Sequence, residues 1–224
     1  EPLAPSGIRD DVVELPLQMQ GRRAHIAAAV TRYPGKVGSQ EDYWAMTTSG
    51  TDSSTRVPVA RFDIDLYFSE TRDEGHSYTC HGAFVSEEAI AFFDNKRFKI
   101  LRREAEMMSP AQRVALEVAF TALHQACWRG EAGGKEWGVF LGDSGSFWPF
   151  PPRQGDPYGL TGVSNCHTGG RLSQCLGLSG PCVVVDTACS SSLVAVSLAH
   201  TALRRHQEDQ VKPNVRTCAD KALA

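Results

Sequence analysis

The stretch that decides the fold runs from Cys182 to Leu203 and reads CVVVDTACSSSLVAVSLAHTAL. Its first five residues, Cys182 to Asp186, are an uninterrupted, largely β-branched run, which predicts a buried strand. From Ser190 to Arg205, apolar residues fall on almost every side of a helix. A helix of that kind must be covered on all sides. We therefore expect it to lie between layers, covered on both sides by sheets of the fold or by a neighbouring chain.

Small residues join this strand to this helix, and Cys189 stands among them in the segment TACSSS from Thr187 to Ser192. A thiol at the start of a helix lies beside unpaired N–H groups and the positive end of the helix dipole, which both stabilise a thiolate. The same N–H groups stabilise the oxyanion of an attacked thioester. We predict that Cys189 is a catalytic nucleophile and the only cysteine so placed. The alternative is an inert buried cysteine.

The rest of the chain alternates between strand and helix signals. Ser109-Pro110 combines a capping serine with proline at the first helical position, which predicts a helix that runs to Trp128. Trp137 to Leu141 (WGVFL) predicts a buried strand, and Ala24 to Thr31 (AHIAAAVT) predicts another. Continuous apolar strands that alternate with helices indicate parallel pairing and an α/β fold.

Two shorter helices and a terminal arm complete the predicted organisation. Ser39 is placed as an N-cap ahead of a short helix that reaches Met46, and Asp156-Pro157 predicts the start of another. Residues 1–23 mix proline, glycine and charge, which predicts a terminal arm ahead of the folded part.

Composition excludes several classes of protein. The 224 residues carry 23 Lys+Arg and 26 Asp+Glu, for a net charge of −3, which disfavours binding of nucleic acid through bulk charge. No apolar run is long enough for a membrane span. The seven cysteines are odd in number, and none has C-x-x-C spacing. This pattern disfavours a disulfide framework or a zinc ribbon and fits a reducing compartment, either cytoplasm or plastid.

Four smaller signals have competing interpretations. The adjacent pairs Cys80–His81 and Cys166–His167 resemble metal ligands only weakly, because neighbours on a strand point to opposite faces. The loop from Gly142 to Gly145 lacks the lysine and spacing of a phosphate-binding loop. A basic cluster is either a dock for an acidic carrier protein or a solvated face, and it comprises Lys96, Arg97, Lys99, Arg102 and Arg103. An aromatic set either lines an acyl channel or forms local loop core, and it comprises Phe147, Trp148 and Phe150.

The segment VDTACSSSLVA from Val185 to Ala195 resembles the active-site segment of β-ketoacyl synthases, particularly the ketosynthase domains of type I polyketide synthases. Other runs resemble the same family in the same order, and the resemblance extends from Ala24 to the last residue. These runs are RFD at Arg61–Asp63, REAE at Arg103–Glu106, WGVFLG at Trp137–Gly142, DPY at Asp156–Tyr158, LTG at Leu160–Gly162 and GRLS at Gly170–Ser173.

This resemblance implies a thiolase-like layered α/β fold, of which residues 24–224 would be the amino-terminal half. It implies that Cys189 takes an acyl group from the phosphopantetheine thioester of an acyl carrier protein. Decarboxylative Claisen condensation with a malonyl-type extender would follow, in fatty-acid or polyketide biosynthesis. Neither a metal nor a bound cofactor is implied. Proteins of this family are usually homodimers.

The chain also departs from the family. The two later histidines that activate the extender, and the lysine between them, have no counterpart among the chain's seven histidines and their surroundings. Three hypotheses stay open: half of a ketosynthase completed elsewhere, a non-catalytic structural or interaction subunit derived from one, or an acyl acceptor that does not condense. In each case we expect a homodimer or a larger complex rather than a free monomer.

Overall fold

The structure, a computed structural model, describes residues 24–126, 137–145 and 156–211. Residues 27–195 form one compact unit. A second unit takes residues 1–26 and 196–224, of which the structure describes 24–26 and 196–211. The predicted arm at residues 1–23 therefore lies outside the described residues. None of the described helices is both long enough and apolar enough to cross a bilayer.

Helices and short strands alternate along the described residues. Short 3-10 turns occur at Ile64–Leu66 and Ala188–Ser190. In chain order the other elements are α1 (Gln40–Thr48), β1 (Ser54–Arg56), β2 (His81–Ala83), α2 (Glu87–Ala91), α3 (Arg102–Met107), α4 (Pro110–Gln125), β3 (Val139–Gly142), α5 (Gly159–Val163), α6 (Asn165–Leu176), β4 (Cys182–Val185) and α7 (Ser191–Val211). β1 and β2 pair antiparallel in one two-stranded sheet, and β3 and β4 form a second, separate sheet.

The β3–β4 pair is parallel, with Val139 opposite Cys182 and Gly142 opposite Val185. α6 lies in the connection between the two strands and packs on both of them. A Cβ atom added at Gly169 of this helix would come within 2.5 Å of the Val184 side chain, so glycine permits the close packing. The parallel pairing predicted from the two apolar runs is confirmed.

Both strands are less buried than their sequences predict. Val139 is buried, but the rest of β3 is half-buried, and β4 begins at an exposed Cys182. Each strand of a two-stranded sheet keeps one open edge. The described residues therefore leave part of the apolar surface of β3 and β4 exposed to solvent.

The main core lies between α4, α6 and β3. Ser109 Oγ accepts the N–H of Gln112 at 3.3 Å, and Pro110 occupies the first turn of α4, which confirms the predicted helix start. The helix brings Leu116, only 1% exposed, into the core. The buried members of this cluster are Phe98, Ile100, Ala105, Met108, Leu116, Val139, Leu172 and Leu176.

Ion pairs connect segments that are distant in sequence. Arg103 of α3 pairs with Asp156 at 3.2 Å, and the Asp156 side chain is only 1% exposed. Glu104, the next residue of α3, pairs with Arg171 of α6. The runs REAE, DPY and GRLS therefore share a structural role, because they fasten α3 to the segments that precede and contain α6.

The apolar run from Ala24 to Thr31 forms no strand, so that prediction is wrong. Ile26 is 89% exposed, and the carbonyl of Ala29 accepts the side-chain amide of Gln40 at 2.9 Å instead of a strand partner. A strand needs a neighbour to satisfy its backbone groups, and none of the described strands pairs with this segment.

Helix boundaries show where capping chemistry was informative. Ser39 caps α1 as predicted, with Oγ accepting the N–H of Asp42 at 3.0 Å. α5 begins at Gly159 rather than at Asp156-Pro157, because the Asp156 carboxylate accepts the N–H of Tyr158 and closes a turn there. No sequence pattern predicts α6, because its first turns are small and polar and its buried face carries only two large apolar residues, Leu172 and Leu176.

The helix after Cys189 is present and longer than predicted, but its expected cover is missing from the described residues. Leu193 is 73% exposed, Val196 65%, Leu198 40% and Leu203 51%. Ser191 and Ala195 are the buried positions near its start. Sheets of the described residues do not cover both sides of this helix, so cover by a neighbouring chain, the other predicted arrangement, stays a prediction. Its apolar face needs a cover that these residues do not supply.

We expect Leu116→Ala to lower the free energy of unfolding of the 224-residue chain by about 2–5 kcal/mol, because the truncation leaves a cavity in the core. Leu160→Ala is the matched control, since Leu160 is 71% exposed and its loss should change stability by about 0.5 kcal/mol or less. Urea unfolding followed by circular dichroism measures both. Equal effects of the two substitutions would contradict the assigned core.

Candidate functional site

Cys189 lies in the 3-10 turn Ala188–Ser190, directly between the end of β4 and the start of α7. The strand-to-turn-to-helix placement predicted from the sequence is confirmed. The residue is exposed, so the thiol is accessible in the single chain. The alternative of a buried cysteine is thereby excluded for this chain.

The turn has a strained backbone immediately before the thiol. Ala188 has φ +54°, in the left-handed region that costs an L-residue about 1–2 kcal/mol. The Asp186 carboxylate accepts the N–H of Ala188 at 3.0 Å and helps to hold this conformation. A strained residue next to a candidate nucleophile is typical of functional turns.

Two serine hydroxyls also hold the turn. Ser190 Oγ donates to the carbonyl of Thr187 at 2.9 Å. Ser191 Oγ accepts the N–H of Thr187 at 2.8 Å and donates to the carbonyl of Ala188 at 2.7 Å. In the sequence these serines are recognisable only as small neighbours of Cys189. Their hydrogen bonds depend on the left-handed conformation of Ala188, and no local sequence pattern predicts that conformation for an alanine.

Gly142, the last residue of β3, sets the position of the α7 start. A Cβ atom at this residue would lie 2.5 Å from the Ser191 carbonyl carbon and 2.5 Å from the Ser192 nitrogen. Such distances are sterically forbidden, so only glycine allows the strand end and the helix start to approach this closely. The contact fixes α7 against the sheet.

Asp143 continues this support toward α6. Its N–H donates to the Val185 carbonyl at 3.0 Å, and its carboxylate accepts the Thr168 hydroxyl at 2.8 Å. Its carbonyl accepts the Asn165 side-chain amide at 3.1 Å. The loop that lacked phosphate-binding spacing therefore has a structural use, because it joins the ends of both strands to the first turns of α6.

A second cysteine shares part of the Cys189 geometry. Cys166 is exposed in the first turn of α6, and its Sγ lies 3.4 Å from His167 Nδ1. It also lines an open cavity of about 500 Å³. The expectation that Cys189 alone has nucleophile-like placement stays a prediction, and Cys166 is the cysteine against which it must be tested. Cys175 differs, since burial raises the pKa of its thiol and disfavours the thiolate.

The other candidate sites contribute little. Cys80 Sγ lies 3.3 Å from His81 Nδ1, but the described residues contain no group of three or more potential metal ligands. Three arginines of the basic cluster pair with acids, which supports a solvated face more than a basic dock. These pairs are Arg97–Asp94, Arg102–Glu106 and Arg103–Asp156. The aromatic set Phe147, Trp148 and Phe150 lies outside the described residues.

We expect Gly142→Ala to destabilise the chain by about 1–3 kcal/mol, because the new methyl group overlaps the backbone of Ser191 and Ser192. Gly170→Ala is the matched control, since its added Cβ would meet no other part of the described structure within 4 Å beyond its own helix backbone and chain neighbours, and alanine favours the helix. Thermal unfolding of both variants gives the comparison. A Gly142→Ala protein as stable as Gly170→Ala would contradict the close contact.

Comparison with known proteins places this geometry in a family. The model of the β-ketoacyl synthase N-terminal domain matches residues 22–211. A phenolphthiocerol/phthiocerol polyketide synthase protein of Mycobacterium tuberculosis is 40% identical over 184 residues, which are 80% of this chain and 12% of that protein. The PKS-NRPS hybrid synthetase acdB of Aspergillus candidus is 37% identical over 193 residues, 82% of this chain and 8% of that protein.

Solved structures give the same result. An oxazolomycin ketosynthase domain of Streptomyces albus JA3453 superposes with a TM-score of 0.71 at 27% identity, covering 81% of this chain and 32% of that domain. The ketosynthase from module 6 of the bacillaene synthase of Bacillus subtilis 168 gives a TM-score of 0.63 at 29% identity, covering 80% of this chain and 30% of the other.

The chain thus spans about an eighth or less of the curated relatives and about a third of the solved domains. Its strand, turn and helix around Cys189 fall inside the matched region. The chain belongs to the β-ketoacyl synthase family, with the thiolase-like fold, and corresponds to the amino-terminal part of a ketosynthase domain.

Proposed function

We propose that Cys189 is the acyl-accepting nucleophile of a β-ketoacyl synthase that works in polyketide or fatty-acid biosynthesis. One observation carries the proposal: the exposed thiol stands on a strained turn at the start of α7, held by hydrogen bonds from its neighbours. Family membership supplies the context. The rigid support favours a thiol that must meet a substrate carbonyl in a defined orientation.

The acyl transfer follows from the chemistry of a thiol. The Cys189 thiolate attacks the carbonyl carbon of an acyl thioester, and the negative charge moves to the carbonyl oxygen near the N-terminus of α7, where helix N–H groups favour it. The tetrahedral intermediate collapses, the carrier's phosphopantetheine thiolate leaves and takes a proton, and the acyl group stays on Sγ.

Condensation would complete the reaction. A malonyl-type extender loses CO₂, and the resulting carbanion attacks the acyl-Cys189 thioester to form the carbon–carbon bond and release the thiolate. Stabilising that carbanion requires hydrogen-bond donors such as histidines. None of the seven histidines of this chain lies in a segment like those of the family. We therefore propose that condensation needs a carboxy-terminal half beyond these 224 residues.

The same reasoning indicates the partners. The acyl donor would be an acyl carrier protein that bears a phosphopantetheine thioester. The exposed apolar face of α7, from Leu193 to Leu203, supports cover by the carboxy-terminal half, a second copy or another protein. We propose that the native form is a homodimer or a larger complex.

A second candidate function is a non-catalytic interaction subunit derived from a ketosynthase. The exposed apolar face of α7, where Leu193 is 73% exposed, favours it, because a face of this kind suits contact with a partner. The two candidates differ in what happens at the thiol, since an interaction subunit has no need to accept an acyl group. Acylation of Cys189 therefore separates them.

We expect an acyl-N-acetylcysteamine thioester to acylate the 224-residue chain at Cys189, as measured by intact-protein mass and peptide mapping. Cys189→Ala should abolish the modification, because it removes the nucleophile. Cys166→Ala is the matched control and should retain it. Acylation that persists in Cys189→Ala would show that another of the seven cysteines accepts the acyl group, and peptide mapping would identify it. Acylation that is lost in Cys166→Ala would assign the chemistry to Cys166.

We also expect no malonyl-dependent carbon–carbon bond formation by this chain alone, because the groups that stabilise the extender carbanion are missing from its sequence. Product analysis by mass spectrometry, with an intact ketosynthase domain as the positive control, measures this. A condensed β-ketoacyl product from the purified chain would show that other residues of this sequence perform the second half-reaction.

A further inference from the structure

We infer that Ser191 is a positioning residue whose hydroxyl holds the Cys189 turn in its strained conformation. This inference rests on the proposed function of Cys189, because positioning matters only if the thiol reacts. Ser191 itself does not touch the reacting atoms. It acts through the backbone of Thr187 and Ala188, the two residues that precede the thiol.

The geometry of the hydroxyl is the first step. Ser191 Oγ accepts the N–H of Thr187 at 2.8 Å and donates its own proton to the carbonyl of Ala188 at 2.7 Å. One oxygen therefore bridges two consecutive residues of the turn. Both partners lie before α7, so these bonds serve the turn rather than the body of the helix.

Burial distinguishes Ser191 from the other groups that hold the turn. Ser191 is only 4% exposed, whereas Asp186 and Ser190, which also bond within the turn, are exposed. Water competes for the hydrogen bonds of exposed groups, but it reaches a buried hydroxyl much less. Removing the Ser191 hydroxyl would also leave the Thr187 N–H without its partner.

Backbone strain explains why such a bridge is needed. Ala188 has φ +54°, a conformation that an alanine leaves unless its surroundings hold it. β4 ends at Val185, so regular strand pairing stops three residues before Ala188. Hydrogen bonds from side chains take over there. Without the bridge, the turn relaxes and Cys189 loses its fixed orientation toward a bound thioester.

The test compares Ser191→Ala with Ser192→Ala in the full 224-residue chain. Ser192 is the adjacent residue and is exposed. The rate of Cys189 acylation by an acyl-N-acetylcysteamine thioester is measured in single turnover by intact mass. We expect Ser191→Ala to slow acylation about tenfold, the effect of losing roughly 1.4 kcal/mol, and Ser192→Ala to change it less than about twofold.

Amide hydrogen exchange tests the bridge independently of the reaction. In the unmodified chain the Thr187 N–H should be protected although Thr187 is exposed, and Ser191→Ala should speed its exchange at least about tenfold. Alkylation of the half-buried Cys175 reports any general loss of structure and should stay unchanged. If Ser191→Ala does not fold, the Thr187 protection in the unmodified chain decides alone.

Failure of the inference and failure of the proposed function give different results. Equal acylation rates in Ser191→Ala and the unmodified chain would overturn the inference while leaving Cys189 as the acyl acceptor. An unmodified chain that is never acylated would overturn the proposed function, and the exchange of Thr187 would then decide whether the bridge exists. A Thr187 N–H that exchanges freely in the unmodified chain would overturn the bridge in every case.

Discussion

The close approach of Gly142 to the backbone of Ser191 and Ser192 is the constraint on which the site depends. A methyl group would not fit there, since its carbon would lie 2.5 Å from backbone atoms of both residues. The contact brings the start of α7 against the end of β3. Gly142 lies opposite Val185, the last residue of β4, and it also contacts the start of α7. The chain must therefore pass from Val185 to the helix start at Ser191 within a few residues. The left-handed Ala188 makes this short connection possible.

Side-chain hydrogen bonds replace regular pairing beyond the ends of the strands. On the β4 side, hydroxyls and a carboxylate hold the turn that carries Cys189. On the β3 side, Asp143 connects the strand ends to α6. Support of this kind suits a nucleophile that must be both exposed and fixed, because the scaffold orients the thiol before a substrate binds. The exposed thiol accordingly lies where the ends of β3 and β4 meet the start of α7.

Local chemistry explains which elements the sequence could predict. Capping is a short-range effect, and it predicts the helix starts at Ser109-Pro110 and Ser39. The apolar runs of β3 and β4 predict a parallel pair of strands. The run Ala24–Thr31 had the same appearance, but a strand also needs a neighbour, which sequence does not reveal. The bridge from Ser191 escaped prediction because it exists only when Ala188 adopts a positive φ. Likewise, the apolar pattern of α7 indicated a need for cover without indicating what supplies it.

The most direct test of this account is a crystal structure of the chain after reaction with an acyl thioester. The account predicts electron density for the acyl group continuous with Cys189 Sγ, with Ala188 at positive φ and Gly142 in contact with the start of α7. An acyl group on Cys166, or a turn relaxed to negative φ at Ala188 with the acyl group mobile, would contradict it.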